Sequence, residues 1–271
     1  MLTIAKFGGS SLATAARFRA VKALIAADPA RQGIVVSAPG RRAPEDSKLT
    51  DLLYAAHTLR QSGGDWLSPL GEIESRFSEI AQALSLPLDL SALKDGLRKN
   101  TLSRDAVASR GEYYCAALLA RYLDRKLIDS ADWLCFAPDG TVDAERSYAQ
   151  LRRLADAPFV TPGFYGALNG EIKTLSRGGS DVTGALAAAA LQADLYENWT
   201  DVPGVLTADP KIDPCAKPIP HLTYSELSAL AEKGLQVLHE GAVRPVREKG
   251  IPMRIASSFQ PELPGTWISG E

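Results

Sequence analysis

The sequence predicts an α/β fold, a three-layer α/β/α sandwich with a mainly parallel central sheet. Three observations indicate this fold: short apolar runs alternate with longer helical stretches, glycine-rich turns follow several of the runs, and no repeat or low-complexity tract interrupts the order. Strands that alternate with helices are typical of a parallel sheet covered on both faces. In such sheets ligands bind beyond the carboxyl ends of the strands, so the glycine-rich turns are the first places to look for a site.

The amino-terminal half begins with a predicted strand at 2–7, a short apolar run that two glycines end. A helix is predicted at 13–27, where alanine and leucine side chains recur on one face. The β-branched segment 33–40, GIVVSAPG, is the next strand. Residues 49–123 are mostly helical in pattern. Breaks in that region are expected at Pro69, Pro87 and Asn100.

The second half continues the alternation, and we interpret the whole chain, 1–271, as one domain. Its predicted strands are 158–166, 194–204 and 251–258, and its predicted helices are 181–192, 224–234 and 240–249. Glycine-rich segments therefore follow four predicted strands, namely Gly8-Gly9, Ala38-Pro39-Gly40, Gly163 to Gly166 and Pro203-Gly204. Four such turns at one predicted sheet edge indicate a pocket lined by backbone amides.

Composition excludes several classes of partner. The 271 residues carry a net charge of only −2, so no global field would recruit nucleic acid or an acidic membrane surface. The longest apolar run, 185–191, is far shorter than the roughly 20 residues of a membrane span. The start shows no signal-peptide pattern. Three scattered cysteines form neither a disulfide framework nor a zinc pattern, so a reducing cytoplasm and no structural metal are expected.

The segment KFGGSS, 6–11, suits a phosphate group. Lys6 would stand at the end of a strand, and Gly8 and Gly9 would let the backbone amides approach a ligand closely. The segment matches neither the Walker pattern nor G-x-G-x-x-G, so a nucleotide site here would belong to neither common class. The same residues would also occur in an ordinary glycine turn after a lysine, with no role in binding.

Two further segments carry charge into predicted loops. In SRGE, 109–112, which is predicted to open a helix, Glu112 is a sensible partner for an ammonium group. In LSRGGSD, 175–181, Arg177 could grip a carboxylate with its planar fork, while Asp181 could lie near a metal–phosphate group. The simpler interpretation is helix capping, by Ser180 or Asp181 here and by Thr50 in KLTD, 48–51. Together the loops suit a zwitterionic small molecule beside a polyphosphate.

Taken in order, these segments resemble the aspartokinases of the amino-acid kinase family. The matching stretches are IAKFGGSSL (4–12), IVVSAPG (34–40), KLTDLL (48–53), SRGE (109–112), GFYG (163–166), SRGGSDVTGAL (176–186), WTDVPGVLTADPK (199–211), VLH (237–239) and IPMRIASSFQPELPGTWI (251–268). The resemblance implies the amino-acid kinase or carbamate kinase-like fold. It also implies phosphorylation of the L-aspartate side chain by MgATP, giving 4-phospho-L-aspartate, the first step toward lysine, threonine and methionine.

The resemblance also implies residue roles. Lys6 and Asp181 would be catalytic, and Lys6, Gly8, Gly9 and Ser10 would form the phosphate cradle. The implied substrate contacts are Thr50, Glu112, Arg177 and Ser180, with Arg177 on the α-carboxylate and Glu112 near the amino group. The implied nucleotide contacts further along the chain are Thr200, Asp201, Thr207, Asp209, Pro210 and Lys211. Mg²⁺ would be held mainly by phosphate oxygens and water, without a protein ligand set. A homodimer is a further possibility that the resemblance leaves open.

The chain departs from the family pattern at Gln236, where many relatives have a lysine aimed at the nucleotide phosphates. Two alternatives therefore stay open: a kinase of another small amino acid or acid, and a catalytically silent binding subunit. The resemblance covers the catalytic domain and no ACT regulatory module. We accordingly expect no direct feedback inhibition by lysine or threonine, whether the chain is a natural enzyme without ACT modules or a fragment.

Overall fold

The computed structural model describes residues 1–176, 178–208, 213, 215–232, 238 and 240–270. Its strands are β1 (Thr3–Phe7), β2 (Arg31–Val36), β3 (Lys126–Leu127), β4 (Phe159–Pro162), β5 (Tyr165–Leu168), β6 (Glu171–Thr174), β7 (Leu195–Thr200), β8 (His221–Leu222), β9 (Met253–Ser257) and β10 (Thr266–Ile268). Its helices are α1 (Ala15–Ala26), α2 (Leu49–Ser62), α3 (Leu67–Ala83), α4 (Ser91–Lys99), α5 (Arg104–Leu123), α6 (Ala144–Leu154), α7 (Gly179–Leu191), α8 (Tyr224–Glu232) and α9 (Glu240–Glu248).

Within the described residues, one eight-stranded sheet has the order β3-β4-β2-β1-β7-β9-β10-β8. All neighbouring pairs in it are parallel except β9 and β10. Strands β5 and β6 form a separate antiparallel hairpin. The predicted mainly parallel sheet is therefore confirmed, with an antiparallel exception near one edge.

Side chains on the two faces of the sheet enter two different cores. Ala5 and Phe7 of β1 pack into a cluster with apolar residues of α1 to α5, whereas Ile4 packs with those of α6 to α9. Successive side chains of a strand point to opposite faces, so β1 serves both cores. Helices thus cover both faces of the sheet, and the predicted three-layer architecture is confirmed.

The glycine-rich turns lie where the sequence predicted them. They follow β1, β2, β4 and β7, which are neighbours in the sheet and all run in the same direction. Their carboxyl ends therefore meet at one edge. The amino terminus of α7 lies at this edge too, because the first turn of α7 contacts Lys6 of β1 and Asn198 of β7.

Several elements differ from the sequence-based prediction. Residues 158–166 are not one strand: β4 ends at Pro162, Phe164 has a left-handed φ of 78°, and β5 leaves the sheet for the hairpin. Pro69 does not break a helix, because it lies in the first turn of α3, where a missing amide proton costs nothing. The break comes earlier, at the left-handed Gly63 that ends α2.

The sequence-based prediction also missed five short or polar elements, β3, β6, β8, β10 and α6. Among the described helices, none is long and apolar enough to cross a membrane.

Candidate active site

A buried ion pair lies at the carboxyl end of β1. The Lys6 Nζ is 2.6 Å from Asp181 Oδ1, and only 8% of the Lys6 side chain is exposed. The same ammonium donates to Asn198 Oδ1 at 3.3 Å, while Asn198 Nδ2 donates to Asp181 Oδ1 at 2.9 Å. The two residues that the sequence assigned to catalysis are therefore in direct contact, and Asn198 bridges them.

The turn after β1 brings the backbone close to this ammonium. Gly8 is extended, and a Cβ added to it would lie 3.5 Å from Lys6 Nζ. A Cβ on Gly9 would lie 2.7 Å from the Ala38 carbonyl oxygen, closer than a side chain tolerates, and the Gly40 amide donates to the Gly9 carbonyl at 2.8 Å. Glycine is thus required where the turns after β1 and β2 meet. The predicted phosphate cradle thus follows β1 directly, with Ser10 in the 3-10 turn Gly9–Leu12, and the Gly8 amide within it donates to the Trp199 carbonyl at 3.0 Å.

Helix α7 begins without a side-chain cap. Gly178 is its N-cap residue, with a left-handed φ of 59°, so Ser180 and Asp181 lie inside the first turn. The capping interpretation of these two side chains is therefore wrong. A Cβ on Gly163 would lie 2.6 Å from Ser180 Oγ, which places the turn after β4 directly against this helix start. Because the amino end of a helix carries partial positive charge, the first turn of α7 adds to the attraction of the site for anions.

Glu112 is a buried carboxylate with a spare oxygen. It lies within α5, not at the opening of a helix as predicted, and it is 5% exposed. Its Oε2 is buried without a hydrogen-bond partner among the described residues. Burial raises the pKa of Glu112 to about 8, although the main-chain amide of Ala38 partly offsets the effect. A ligand cation that contacted Oε2 would remove this desolvation cost.

The geometry brings Glu112 to the same sheet edge as the glycine turns. A Cβ on the preceding residue, Gly111, would lie 2.9 Å from the Ala38 Cβ and 3.2 to 3.3 Å from Leu53 and Leu49 of α2. The turn after β2, the beginning of α2 and the middle of α5 therefore meet. Thr50, the second residue of α2, is half-buried at this junction, and Lys48 precedes the helix without a side-chain cap. The capping role considered for Thr50 is thus wrong.

The predicted nucleotide contacts are more scattered. Thr200 ends β7 at the site edge, and its hydroxyl donates to the exposed Asp201 at 3.2 Å. Thr207 lies further along, where its main chain and hydroxyl both bond to the main chain of Lys217. No contact within the described residues joins Thr207 to Lys6. The predictions for Arg177, Asp209, Pro210, Lys211 and Gln236 fall outside the described residues.

Metal ligands are not clustered at this site. In the described part of the chain, no group of three or more His, Cys, Asp or Glu side chains is arranged to hold a metal ion. The site instead combines one ammonium, two carboxyl groups and two glycine turns. This set can bind a phosphate group beside a second, cationic group.

Asn198 is the site residue that the sequence analysis missed. It precedes the WTDVPG segment by one position and is separated from Lys6 by 192 positions. The available signal was its place in a predicted strand that ends at a glycine turn, where Asn198 and Trp199 point to opposite faces. The register of β7 against β1, which pairs Asn198 with Lys6, could not be predicted from the sequence.

Comparison with protein-family models gives a match to the amino acid kinase family over residues 1–257. The chain belongs to the amino acid kinase family. It is 36% identical to Aspartokinase 3 of Bacillus subtilis over 287 aligned positions, which cover 98% of the chain and 63% of that protein. The resemblance to aspartokinases therefore extends along nearly the whole chain, while the chain spans less than two thirds of this relative.

Two solved structures are similar to this chain. The aspartate kinase of Clostridium acetobutylicum has a TM-score of 0.92 and 41% identity, covering 99% of this chain and 62% of that one. Aspartokinase III of E. coli, solved in complex with aspartate and ADP, has a TM-score of 0.88 and 26% identity, covering 100% of this chain and 65% of that one. The expected amino-acid kinase fold is thereby confirmed.

Proposed function

We propose that this chain is the catalytic part of an aspartate kinase, which transfers the terminal phosphoryl group of ATP to the side-chain carboxylate of L-aspartate. The observation that carries the proposal is the Lys6–Asp181 pair over the glycine turn after β1, with the spare oxygen of Glu112 at the same sheet edge. The similarity to proteins named aspartokinase, one of them solved with aspartate and ADP, supports the choice of substrates.

The chemistry needs no general base. A side-chain carboxylate with an unperturbed pKa near 3.9 is already ionised at neutral pH, so it can attack phosphorus directly. The obstacle is repulsion between this anion and the polyphosphate. Positioning and cationic or amide groups near the transferred phosphoryl group are the means to reduce that barrier. In the proposed function Lys6 and the amides of Gly9 and Ser10 supply this stabilisation, and Asp181 orients Lys6. Gly8, whose own amide donates to the Trp199 carbonyl at 3.0 Å, lets the phosphate group approach Lys6 closely.

Glu112 is proposed to receive the substrate ammonium group. This carboxyl is mostly neutral at pH 7, because burial raises its pKa to about 8. An ammonium against Oε2 would favour the ionised form, so binding and loss of a proton are coupled. Thr50, Arg177 and Ser180 complete the proposed substrate contacts, with Arg177 on the α-carboxylate.

ATP is proposed to extend from the Lys6 turn toward Thr200, Asp201, Thr207, Asp209, Pro210 and Lys211. Mg²⁺ would arrive with the nucleotide, held mainly by phosphate oxygens and water. Among the described residues the donor set fits such an ion, since beside Lys6 it offers the carboxylate of Asp181 and no group of three or more metal ligands. When bound, the ion supplies neutralisation of phosphate charge.

Domain organisation, location and assembly are part of the proposal. We assign 1–271 to one kinase catalytic domain acting at the head of lysine, threonine and methionine formation. The cysteines Cys115, Cys135 and Cys215 are all unpaired, which supports the reducing cytoplasm as the location. A homodimer stays a prediction.

The test is an aspartate hydroxamate assay with MgATP on this polypeptide, run beside a panel of other amino acids and acids with ADP release as the readout. We expect product with L-aspartate and none without ATP. Activity on another acid with none on aspartate would replace the proposed substrate. Nucleotide binding without ADP release on any acid would identify a silent binding subunit instead.

A further inference from the structure

Strand β7 presents two side chains to the first turn of α7. Tyr196 and Asn198 lie on the same face of the strand, and both are almost fully buried. The Tyr196 hydroxyl donates to the main-chain oxygen of Asp181 at 3.0 Å, and the Asn198 amide donates to the Asp181 side chain at 2.9 Å. Strand β7 therefore holds Asp181 by its backbone and by its carboxylate.

Asn198 also reaches Lys6. The two residues are opposite each other in the β1–β7 register, and Lys6 Nζ donates to Asn198 Oδ1 at 3.3 Å. The orientation of the amide follows from chemistry, because an ammonium only donates and a carboxylate only accepts. Asn198 must therefore turn its oxygen to Lys6 and its nitrogen to Asp181.

We propose that Asn198 is a positioning residue for phosphoryl transfer, whose amide locks the Lys6 ammonium and the Asp181 carboxylate in one geometry. The inference rests on the proposed function, since it assigns Asn198 to the same reaction. Asn198 itself gains or loses no bond in the transfer. Its contribution is to fix the direction of a flexible four-carbon side chain before the nucleotide binds.

The number of donors on Lys6 supports this role. An ammonium has three N–H groups, and in the described part of the structure Asp181 and Asn198 accept two of them. One donor is left for a phosphate oxygen beside Gly8. With both other contacts in place the ammonium cannot rotate freely, so this donor keeps a fixed direction.

Only a neutral group that both donates and accepts fits position 198. Aspartate has the same shape, but it would turn an oxygen toward the Asp181 carboxylate and add a negative charge where a polyphosphate is proposed to bind. Leucine fills a similar volume and leaves the two buried charges without their bridge. At nearly constant side-chain size, Asn198→Asp therefore tests the effect of an added charge, and Asn198→Leu tests the loss of the hydrogen bonds.

The experiment compares Asn198→Asp and Asn198→Leu with the wild type. Asn100→Asp is the matched control, because it makes the same charge change at an exposed residue that ends α4. We expect kcat with aspartate to fall about 10²-fold in both Asn198 variants, the loss typical of a misplaced catalytic group. The KM for aspartate should stay within about 2-fold of wild type, since Glu112 and α5 are untouched. Asn100→Asp should keep the wild-type kcat.

A purely structural role would give a different result. Circular dichroism and the melting temperature establish that each variant is folded at the assay temperature. Folded Asn198 variants with wild-type kcat, or with a change confined to KM for aspartate, would overturn the proposal. If one of the two variants does not fold, the other one and Asn198→Ala, which removes both the donor and the acceptor, give the comparison with the same expected loss of kcat.

A second readout does not depend on turnover. Acetic anhydride labelling, mapped by mass spectrometry, reports how firmly the Lys6 amine is held relative to the exposed Lys22. We expect Lys6 labelling to rise at least several-fold in Asn198→Leu, and an unchanged rate would contradict the positioning role. If the wild type phosphorylates no acid at all, the proposed function fails, while this labelling still decides whether Asn198 restrains Lys6.

Discussion

Two adjacent residues of β7, Glu197 and Asn198, are buried on opposite faces of the same strand and belong to different kinds of polar cluster. Glu197 accepts from Arg31 at 2.5 and 2.9 Å, from the Trp199 indole at 3.0 Å, and lies 3.6 Å from Arg254. Both of its oxygens are thus saturated by groups of the protein. Asn198 instead joins a cluster in which Lys6 keeps a donor free of the described partners.

The difference distinguishes a charge that holds the fold from one that we propose acts on a ligand. A buried charge whose partners are all internal has nothing left to offer a ligand, however strong its contacts. The spare donor of Lys6 and the spare oxygen of Glu112 each cost desolvation that a ligand can recover. The candidate site is therefore distinguished by buried polar groups at the sheet edge that keep an unused donor or acceptor, and not by burial alone.

The largest expected effect is on stability, from Glu197→Gln. Removing this charge leaves Arg31 buried without its carboxylate, so the free energy of unfolding should fall by about 3–5 kcal/mol. Urea unfolding followed by circular dichroism measures it. The activity of the molecules that remain folded should be unchanged, and a loss of kcat at constant stability would erase the distinction between the two faces.

The next effect is on catalysis, from Lys6→Met. This variant keeps an unbranched side chain one atom shorter than lysine and removes the charge, so we expect kcat to fall about 10²–10³-fold, as for loss of one transition-state donor. Lys22→Met is the control, because Lys22 is exposed and bonds only to the Tyr122 carbonyl and ring among the described residues. Retention of full activity in Lys6→Met would remove the central assignment of the site.

A smaller, pH-dependent effect is expected from Glu112→Gln. The folded protein holds the proton of Glu112 up to a pKa of about 8, whereas the unfolded chain releases it near the usual 4.5. The unfolded state therefore binds fewer protons between these values, and this group destabilises the protein progressively as the pH rises from 4.5 to 8. Glutamine removes that slope.

Melting temperatures of wild type and Glu112→Gln at pH 5 and pH 8.5 test the sign. The melting temperature of the variant relative to the wild type should rise at the higher pH, by about 2–4 °C for each kcal/mol of unfolding free energy that the substitution recovers. A difference that is constant between the two pH values would show that Glu112 does not titrate in this range. Glu262→Gln, the same change at an exposed residue, controls for net charge.

The sequence predicted the parts of this site that depend on local pattern. The apolar run before Gly8-Gly9 placed Lys6 at a strand end, and the helix after SRGGSD placed Asp181 at its start. What failed depends on contacts between distant segments. Asn198 needed the β1–β7 register, and the burial of Glu112 needed α5 to pack on the turn after β2. Strand β5 was misassigned because its partner β6 comes from a hairpin and not from the main sheet.

The smallest expected effect tests whether distance alone explains the Lys6–Asp181 pair. Lys126 and Asp156 form an ion pair of almost the same length, 2.7 Å, but 72% of the Asp156 side chain is exposed. Water and salt screen such a pair, so Asp156→Asn should leave the free energy of unfolding almost unchanged. Urea unfolding at low and high salt measures the change. If Asp156→Asn lowered the free energy of unfolding as much as Glu197→Gln, the length of an ion pair would decide its energy. Burial and unfilled hydrogen-bonding capacity would then not explain the difference between the two faces of β7.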